Sequence, residues 1–202
     1  MIASSRLNAG GEPVWDTMLR TVSGRHVDLL SPDWRSIVMS DVAYALAALP
    51  RWGGHRVRQI SVLEHSLDVW AQAPRELKFE ALLHDAHEAF LGDITRPVRR
   101  ALAFYCADTR HSLEQIEVKL DIAIVRQAFA EAGAPSVDCR LEAETVVAAM
   151  RSPALARLED ESWGREAADP YGPKPKETIA RLTERWLSAV NMECWKRYRP
   201  GV

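Results

Sequence analysis

Apolar residues recur every three to four positions along most of this chain, which is the spacing of helices with one buried face. The pattern predicts helices over residues 42–49, 62–73, 75–91, 96–105, 109–132, 138–150 and 176–192. Pro50 ends the first of these, and Gly133 with Pro135 ends the fifth. Ser40 and Asp41 stand where a helix cap is needed, so we expect the first helix to begin just after them.

One segment near the N-terminus follows a different pattern. Residues 17–22 and 26–30 alternate between apolar and polar side chains on either side of Ser23-Gly24-Arg25. Alternation around a turn that contains glycine is typical of a β-hairpin. The pattern as a whole therefore predicts an all-α helical bundle that also has room for a short N-terminal β-hairpin.

Composition narrows the class of protein. A chain of 202 residues is expected to form one domain over residues 1–202. With a net charge of −2, the chain lacks the excess of basic residues that is typical of proteins that bind nucleic-acid polymers. Three cysteines without metal-binding spacing, no apolar leader after Met1 and no apolar run long enough for a bilayer predict a cytoplasmic protein without disulfides.

The candidate chemistry is concentrated in the predicted helix 75–91. His84 and Asp85 stand side by side in an apolar run, Glu88 follows one turn later, and His65 lies in the preceding helix. Burying imidazoles and carboxylates together is costly unless a cation or hydrogen bonds compensate, and mixed nitrogen and oxygen donors suit a transition metal. The alternative is a buried histidine beside an aspartate with no metal, because an isolated His-Asp pair is common.

The ordered set His65, His84-Asp85 and Asp138 resembles the ligand set of the HD-domain metal-dependent phosphohydrolase superfamily. Segments that resemble its 5'-deoxynucleotidase branch are Arg51-Trp52 and Gly92-Asp93-Ile94-Thr95-Arg96-Pro97-Val98-Arg99. A likeness to bacterial and phage HD hydrolases, which include deoxyadenosine triphosphate triphosphohydrolases, lies in Ser23-Gly24-Arg25-His26-Val27-Asp28-Leu29-Leu30-Ser31-Pro32, Asp41-Val42-Ala43 and Arg51-Trp52-Gly53-Gly54-His55. Together these likenesses cover roughly residues 20 to 190.

The resemblance implies a metal centre whose ligands are His65, His84, Asp85 and Asp138. Two nitrogen and two oxygen donors suit Mn, Fe, Co, Ni or Zn better than magnesium, and we expect one tightly bound divalent ion. His87 and His111 are the only histidines that follow the His-Asp pair. We expect each of them either on the surface or behind the ligands, outside the ligand set.

Glu88 is the leading candidate to activate the attacking water, and Asp93 is a second base or the proton donor to the leaving oxygen. The alternatives are a solvated carboxylate for Glu88 and a helix cap for Asp93. Substrate contacts are predicted for a set of residues that flank the centre in sequence: Arg51, Trp52, His55, Arg96 and Arg99. Guanidinium groups fit phosphate oxygens, and an indole can stack on a nucleoside.

These features predict a phosphohydrolase of (deoxy)nucleotides, in which water attacks the α-phosphorus and releases a nucleoside with either phosphate or triphosphate. A deoxynucleotidase and a triphosphohydrolase both remain open. The alternatives are an HD-fold nucleotide-binding or regulatory protein without turnover, and a hydrolase of another phosphoester. We expect a homo-oligomer whose partner is a small-molecule nucleotide, and which binds neither nucleic-acid polymers nor membranes.

Overall fold

Helices dominate the architecture. The structure, a computed structural model, describes residues 17–55, 59–106, 108–133, 139–168 and 177–198. Two antiparallel strands, β1 (Met18–Arg20) and β2 (His26–Asp28), come first. They are followed by α1 (Met39–Ala48), α2 (Val62–Gln72), α3 (Lys78–Leu83), α4 (Glu88–Leu91), α5 (Arg96–Tyr105), α6 (Asp108–Glu131), α7 (Cys139–Met150), α8 (Pro153–Ala168) and α9 (Ile179–Tyr198). The mostly helical architecture confirms the predicted all-α class.

Most of the predicted helices are confirmed. α5 has its predicted limits, and α2, α6 and α7 lie within one residue of theirs, while α9 continues past its predicted end to Tyr198. Apolar spacing does not predict α8, because six charged residues interrupt its apolar positions and no clear stripe emerges. Within the described ranges, none of the helices combines the length and apolar character that crossing a membrane requires.

The hairpin is confirmed, whereas the predicted cap of α1 is wrong. Gly24 lies in the hairpin turn with a φ of 86°, a conformation that glycine adopts without strain. α1 begins at Met39, ahead of Asp41. The Asp41 carboxylate instead accepts hydrogen bonds from the hydroxyls of Thr21 and Ser23, each at 2.6 Å. Asp41 therefore ties the hairpin to α1 rather than starting the helix.

α3 lies at the centre of the bundle, where it packs against α2, α7 and α9. Its residues 79–83 are all buried. Trp186 of α9 is also fully buried, and its indole donates to the carbonyl of Leu82 at 3.0 Å. The buried Glu80 carboxylate accepts a hydrogen bond from Arg197 of α9 at 2.8 Å. These contacts fix the end of α3, from which the His-Asp pair follows.

The prediction of one continuous helix over residues 75–91 is wrong at its centre. α3 ends at Leu83, α4 begins at Glu88, and residues 84–87 form a tighter turn between them. The amide of Ala86 donates to the Leu83 carbonyl at 2.9 Å, and that of Glu88 to the Asp85 carbonyl at 3.0 Å. Such bonds, which span three residues instead of four, wind the backbone more tightly than an α-helix. They rotate the side chains that follow relative to their positions in a regular helix.

Candidate metal centre

Three side chains from two elements meet beside this tighter turn. His65 comes from α2, whereas His84 and Asp85 come from the turn itself. The Nε2 atoms of the two histidines are 3.3 Å apart. Asp85 Oδ2 lies 3.1 Å from His84 Nε2 and 3.7 Å from His65 Nε2. Both histidines are buried, and the three residues could hold a metal ion.

A capping box fixes the start of α2 and with it the position of His65. The Ser61 hydroxyl accepts from the Glu64 amide at 3.1 Å, and the Glu64 carboxylate accepts from the Ser61 amide at 2.8 Å. This reciprocal pair satisfies two amides at the helix start that have no partner within the helix. His65 therefore falls in the first turn of α2, where its side chain is fully buried against the turn after α3.

Hydrogen bonds to the far side of each imidazole aim its Nε2 at the centre. His84 Nδ1 is 2.8 Å from the Ala81 carbonyl, which can only accept, so Nδ1 is the donor. His65 Nδ1 is 3.5 Å from Ser162 Oγ, and the Ser162 hydroxyl donates to Asp68 at 2.9 Å. Partners of this kind hold metal-binding histidines in place. Two Nε2 atoms that face each other this closely repel unless a proton or a cation lies between them.

The charges around the centre favour a positive occupant. Burial alone would lower the pKa of His84, but Asp85 and then Glu159 outweigh it and raise that pKa to about 9. Burial would raise the pKa of Asp85, yet His84, Arg51 and His65 hold it well below its usual range. An ionised carboxylate beside a histidine that retains its proton marks a field that also favours a metal cation.

The spacing of the three ligand atoms fits a single ion. Two ligands at about 2.0–2.1 Å from one tetrahedral ion are roughly 3.3 Å from each other. The observed distances of 3.3, 3.1 and 3.7 Å lie on both sides of that value. The three atoms could therefore contact one ion together without a large rearrangement of the chain.

Glu88 is a buried carboxylate next to this group. It is only 7% exposed, so it is not the solvated helix carboxylate of the alternative interpretation. Its Oε2 has no hydrogen-bond partner among the residues that the structure describes. Burial raises the pKa of Glu88 to about 10, Asp85 and Asp93 add to that rise, and Arg51 opposes it. A buried oxygen of this kind is costly until a ligand or a water contacts it.

Arg51, Trp52 and Asp93 form one connected group at the edge of the centre. Arg51 Nη1 lies 2.9 Å from Asp85 Oδ2, and its guanidinium covers the Trp52 ring at 5.2 Å. Trp52 has a left-handed backbone with φ 54° and ψ 34°, which costs a bulky residue about 1–2 kcal/mol. Its amide donates to the Asp93 carboxylate. Asp93 therefore holds the Arg51-Trp52 turn, and the residue that caps α5 is Thr95.

The remaining predicted site residues lie in different surroundings. Arg99 donates to a carboxylate of α6 and adds to the field at Glu88. The Arg96 side chain is 76% exposed, and its guanidinium lies 3.9 Å from Asp160 of α8. His55 is exposed. Asp138, the predicted fourth ligand, lies outside the described residues, so its role stays a prediction.

Two residues of α8 belong to the surroundings of the centre, and sequence reasoning missed both. Glu159 Oε1 lies 3.7 Å from His84 Nε2. Ser162 is fully buried and is the residue that contacts the far side of His65. Their spacing of three residues on a helix was the available signal, but it has meaning only once α8 is known to exist.

His87 lies in a second group of charged residues, whose carboxylates come from α6. Of its two expected positions, the surface is wrong, because His87 is 7% exposed. Its Nδ1 is 3.0 Å from Asp121 Oδ1, and Arg151 Nη2 is 2.8 Å from Asp121 Oδ2. Glu117 Oε1 is 3.9 Å from His87 Nε2 and also pairs with Arg99. Burial would lower the pKa of His87, but Asp121 and Glu117 raise it.

Comparison with known proteins identifies relatives. No protein-family model matches the chain. The uncharacterized protein YfdR of Escherichia coli is 34% identical over 115 residues, which are 56% of this chain and 58% of YfdR. The uncharacterized protein RCAP_rcc00048 of Rhodobacter capsulatus is 34% identical over 145 residues, which are 65% of this chain and 72% of that protein. The chain therefore spans less than two thirds of YfdR, whereas with the longer match it belongs to the family of RCAP_rcc00048.

Proposed function

We propose that this protein is a metal-dependent phosphohydrolase of (deoxy)nucleotides. The observation that carries the proposal is the meeting of His65, His84 and Asp85, with both Nε2 atoms aimed at one point and the buried Glu88 carboxylate beside them. These residues also stand in the order that resembles the HD-domain phosphohydrolases. A purely structural His-Asp pair does not require two imidazoles with their nitrogens turned towards each other.

The proposed cofactor is one divalent transition ion of Mn, Co, Fe, Ni or Zn. Imidazole donors suit these ions, whereas magnesium demands oxygen ligands. His65, His84 and Asp85 would hold the ion, and the resemblance adds Asp138 as a fourth ligand. When bound, such an ion polarises a phosphate oxygen and makes a water molecule more acidic.

Glu88 is the proposed general base. Its carboxylate lies one turn beyond the ligands and is sheltered from solvent, so it can take a proton without being a ligand itself. Its raised pKa makes the ionised form a strong proton acceptor, and a neighbouring cation would stabilise that form. Asp93 is bound to the Trp52 amide, which leaves it the second candidate for this role.

Arg51 and Trp52 are the proposed contacts to the α-phosphate and the nucleoside. The Arg51 guanidinium points at the Asp85 carboxylate from the edge of the centre, close to where a phosphate bound to the ion would lie. Its planar fork suits phosphate oxygens. The exposed Arg96 and the partly buried Arg99 follow as contacts to further phosphates, so the proposal covers mono- and triphosphate substrates.

The test is a nucleotide panel. Purified protein is incubated with ribo- and deoxyribonucleoside mono-, di- and triphosphates in the presence of each divalent metal, and the products are separated by chromatography. We expect a nucleoside together with phosphate or triphosphate, and no product from a His84→Ala variant. Products retaining a phosphate on the nucleoside would contradict attack at the α-phosphorus.

The same panel separates the proposal from its alternatives. If nucleotides bind, as measured by calorimetry, but no product forms with any metal, then the protein is a nucleotide-binding or regulatory member of the HD fold. If the nucleotides are not cleaved but another phosphoester added to the panel is, the metal centre stands and the substrate class changes. Absence of bound metal in the active preparation would overturn the metal-dependent chemistry itself.

A further inference from the structure

α8 forms a wall of the metal centre through two residues on one of its faces. Ser162 is fully buried, and its Oγ lies 3.5 Å from His65 Nδ1. Glu159 lies one turn earlier on the same face, with Oε1 at 3.7 Å from His84 Nε2. The helix therefore supports one histidine from behind and presents a carboxylate to the metal-facing nitrogen of the other.

Glu159 lies beside the candidate ligand set without completing it. Its Oε1 is 3.7 Å from His84 Nε2, but Glu159 is not among the three residues whose ligand atoms all lie within 4.8 Å of one another. A change of side-chain rotamer would bring its carboxylate to the ion. The Glu159 side chain is 37% exposed. It therefore borders the centre on a side that solvent and substrate can reach.

The consecutive acidic residues Glu159, Asp160 and Glu161 of α8 differ in their charged partners. Within the described part of the chain, the ion-pair contact of Glu159 is with His84, and neither an arginine nor a lysine pairs with it. The next residue, Asp160, instead pairs with Arg96 at 3.9 Å. Glu161 is exposed. Of these acidic residues, Glu159 alone faces the metal-binding nitrogens.

We propose that Glu159 is a further carboxylate ligand of the cation that His65, His84 and Asp85 hold. This inference rests on the proposed metal centre. It adds a ligand from α8 to those from α2 and from the turn after α3. Binding of the ion would then join three elements. Together with Asp85 and the predicted Asp138, Glu159 would give three oxygen donors, which strengthens the preference for a hard divalent ion such as manganese over zinc.

The experiment compares Glu159→Gln with Glu161→Gln. Both variants lose one carboxylate from the same helix, so charge and helix content change equally, while the position differs. The affinity of each for Co²⁺ is measured by competition with a chelator, and the visible absorption of the bound Co²⁺ is recorded. We expect Glu159→Gln to bind Co²⁺ at least about tenfold more weakly and with an altered spectrum. Glu161→Gln should match the unaltered protein in both.

A third variant, Glu159→Asp, keeps the charge but draws it back by one methylene. Its affinity for Co²⁺ should lie between those of Glu159→Gln and the unaltered protein. Circular dichroism checks that each variant is folded. If Glu159→Gln binds Co²⁺ as tightly as the unaltered protein, with the same spectrum, Glu159 is not a ligand, while the metal centre stands. If the unaltered protein binds no Co²⁺, the metal centre and this inference both fail.

Discussion

The tighter turn after α3 carries two histidines, His84 and His87, whose surroundings differ. His84 lies beside Asp85, and its Nε2 is 3.3 Å from the Nε2 of His65. His87 instead meets Asp121, whose second oxygen is taken by Arg151 at 2.8 Å. The first group turns nitrogen and oxygen ligand atoms towards each other, whereas the second alternates carboxylates with basic side chains.

The difference shows what separates a ligand site from a structural network. Asp121 has a fully buried side chain with a partner on each oxygen, His87 on one and Arg151 on the other, so the chain itself satisfies this carboxylate. Around His84 the compensation is incomplete, since Glu88 retains a buried oxygen without a partner in the described ranges. Residue types alone do not distinguish the two pairs. The residues that surround each pair distinguish them.

The largest effect is expected from His84→Ala. Removing one imidazole takes a donor from the centre, and Asp85 keeps only part of its positive surroundings, from Arg51 and His65. We expect metal affinity to fall by more than about 100-fold, and hydrolysis to disappear with it. Metal content measured by mass spectrometry and activity on the nucleotide panel check both. A His84→Ala protein with normal metal content would remove the basis for the site.

Glu88→Gln should separate chemistry from metal binding. The amide keeps the size of the side chain but cannot accept the proton, so turnover should fall by about 10²–10⁴-fold while bound metal stays at its normal level. Steady-state kinetics with metal analysis on the same sample measure both. The control is Glu161→Gln, because Glu161 is exposed. Glu64→Gln is unsuitable, because Glu64 caps α2. Native turnover in Glu88→Gln would transfer the role of base to Asp93.

Asp121→Ala tests the surroundings of His87. The buried His87 would lose its hydrogen-bond partner, which typically costs about 1–3 kcal/mol, whereas the Arg151 side chain is 37% exposed and can turn to solvent. We expect the free energy of unfolding, measured with urea, to fall by that amount. Affinity for metal should stay unchanged in the folded protein. Loss of metal with full stability would mean that the two groups act as one site.

Sequence periodicity predicted the amphipathic helices well and the tighter turn poorly. α5 and α6 have clear limits in sequence because prolines, glycines and apolar spacing mark them. Residues 84–87 keep helical periodicity and contain no glycine or proline, so nothing in sequence marks the change from four-residue to three-residue hydrogen bonds. α8 was missed because its polar surface gives little apolar signal, and with it the sequence missed Glu159.

The residues of the candidate site were predictable from sequence only in part. His65, His84 and Asp85 could be named because the resemblance fixes their order along the chain. The tie between Trp52 and Asp93 could not, since it depends on a left-handed backbone at a tryptophan, which sequence patterns do not encode. The partners of His87 were equally hidden, because α6 supplies them from 30 or more residues away.

Arg51→Ala should leave the metal in place and weaken the contact to phosphate. Arg51 pairs with Asp85 through a single bond at 2.9 Å, so its removal frees a ligand oxygen and does not take one away. We expect kcat/KM to fall by about 10²-fold through loss of charge stabilisation, with metal content not reduced. Arg110→Ala is the matched control, because the Arg110 side chain is 79% exposed and pairs with Glu114. If Arg51→Ala lowers only the melting temperature, Arg51 supports the Trp52 turn and does not bind substrate.

The affinity of the centre for metal is also expected to depend on pH, by the smallest factor for a single step. A metal ion and a proton compete for His84 Nε2, and the neighbouring carboxylates raise the pKa of His84 to about 9, against the lowering effect of burial. Below that pH the proton must leave before the ion binds, so apparent affinity should rise by up to about tenfold for each pH unit between pH 6 and 8, and level off above about 9. Chelator competition with Co²⁺, corrected for the titration of the chelator, measures this slope. The Asp121→Ala variant should give the same slope, since His87 belongs to the second group of charged residues. An affinity that does not change between pH 6 and 8 would mean that His84 carries no proton there, and that its Nε2 is open to metal over the whole range.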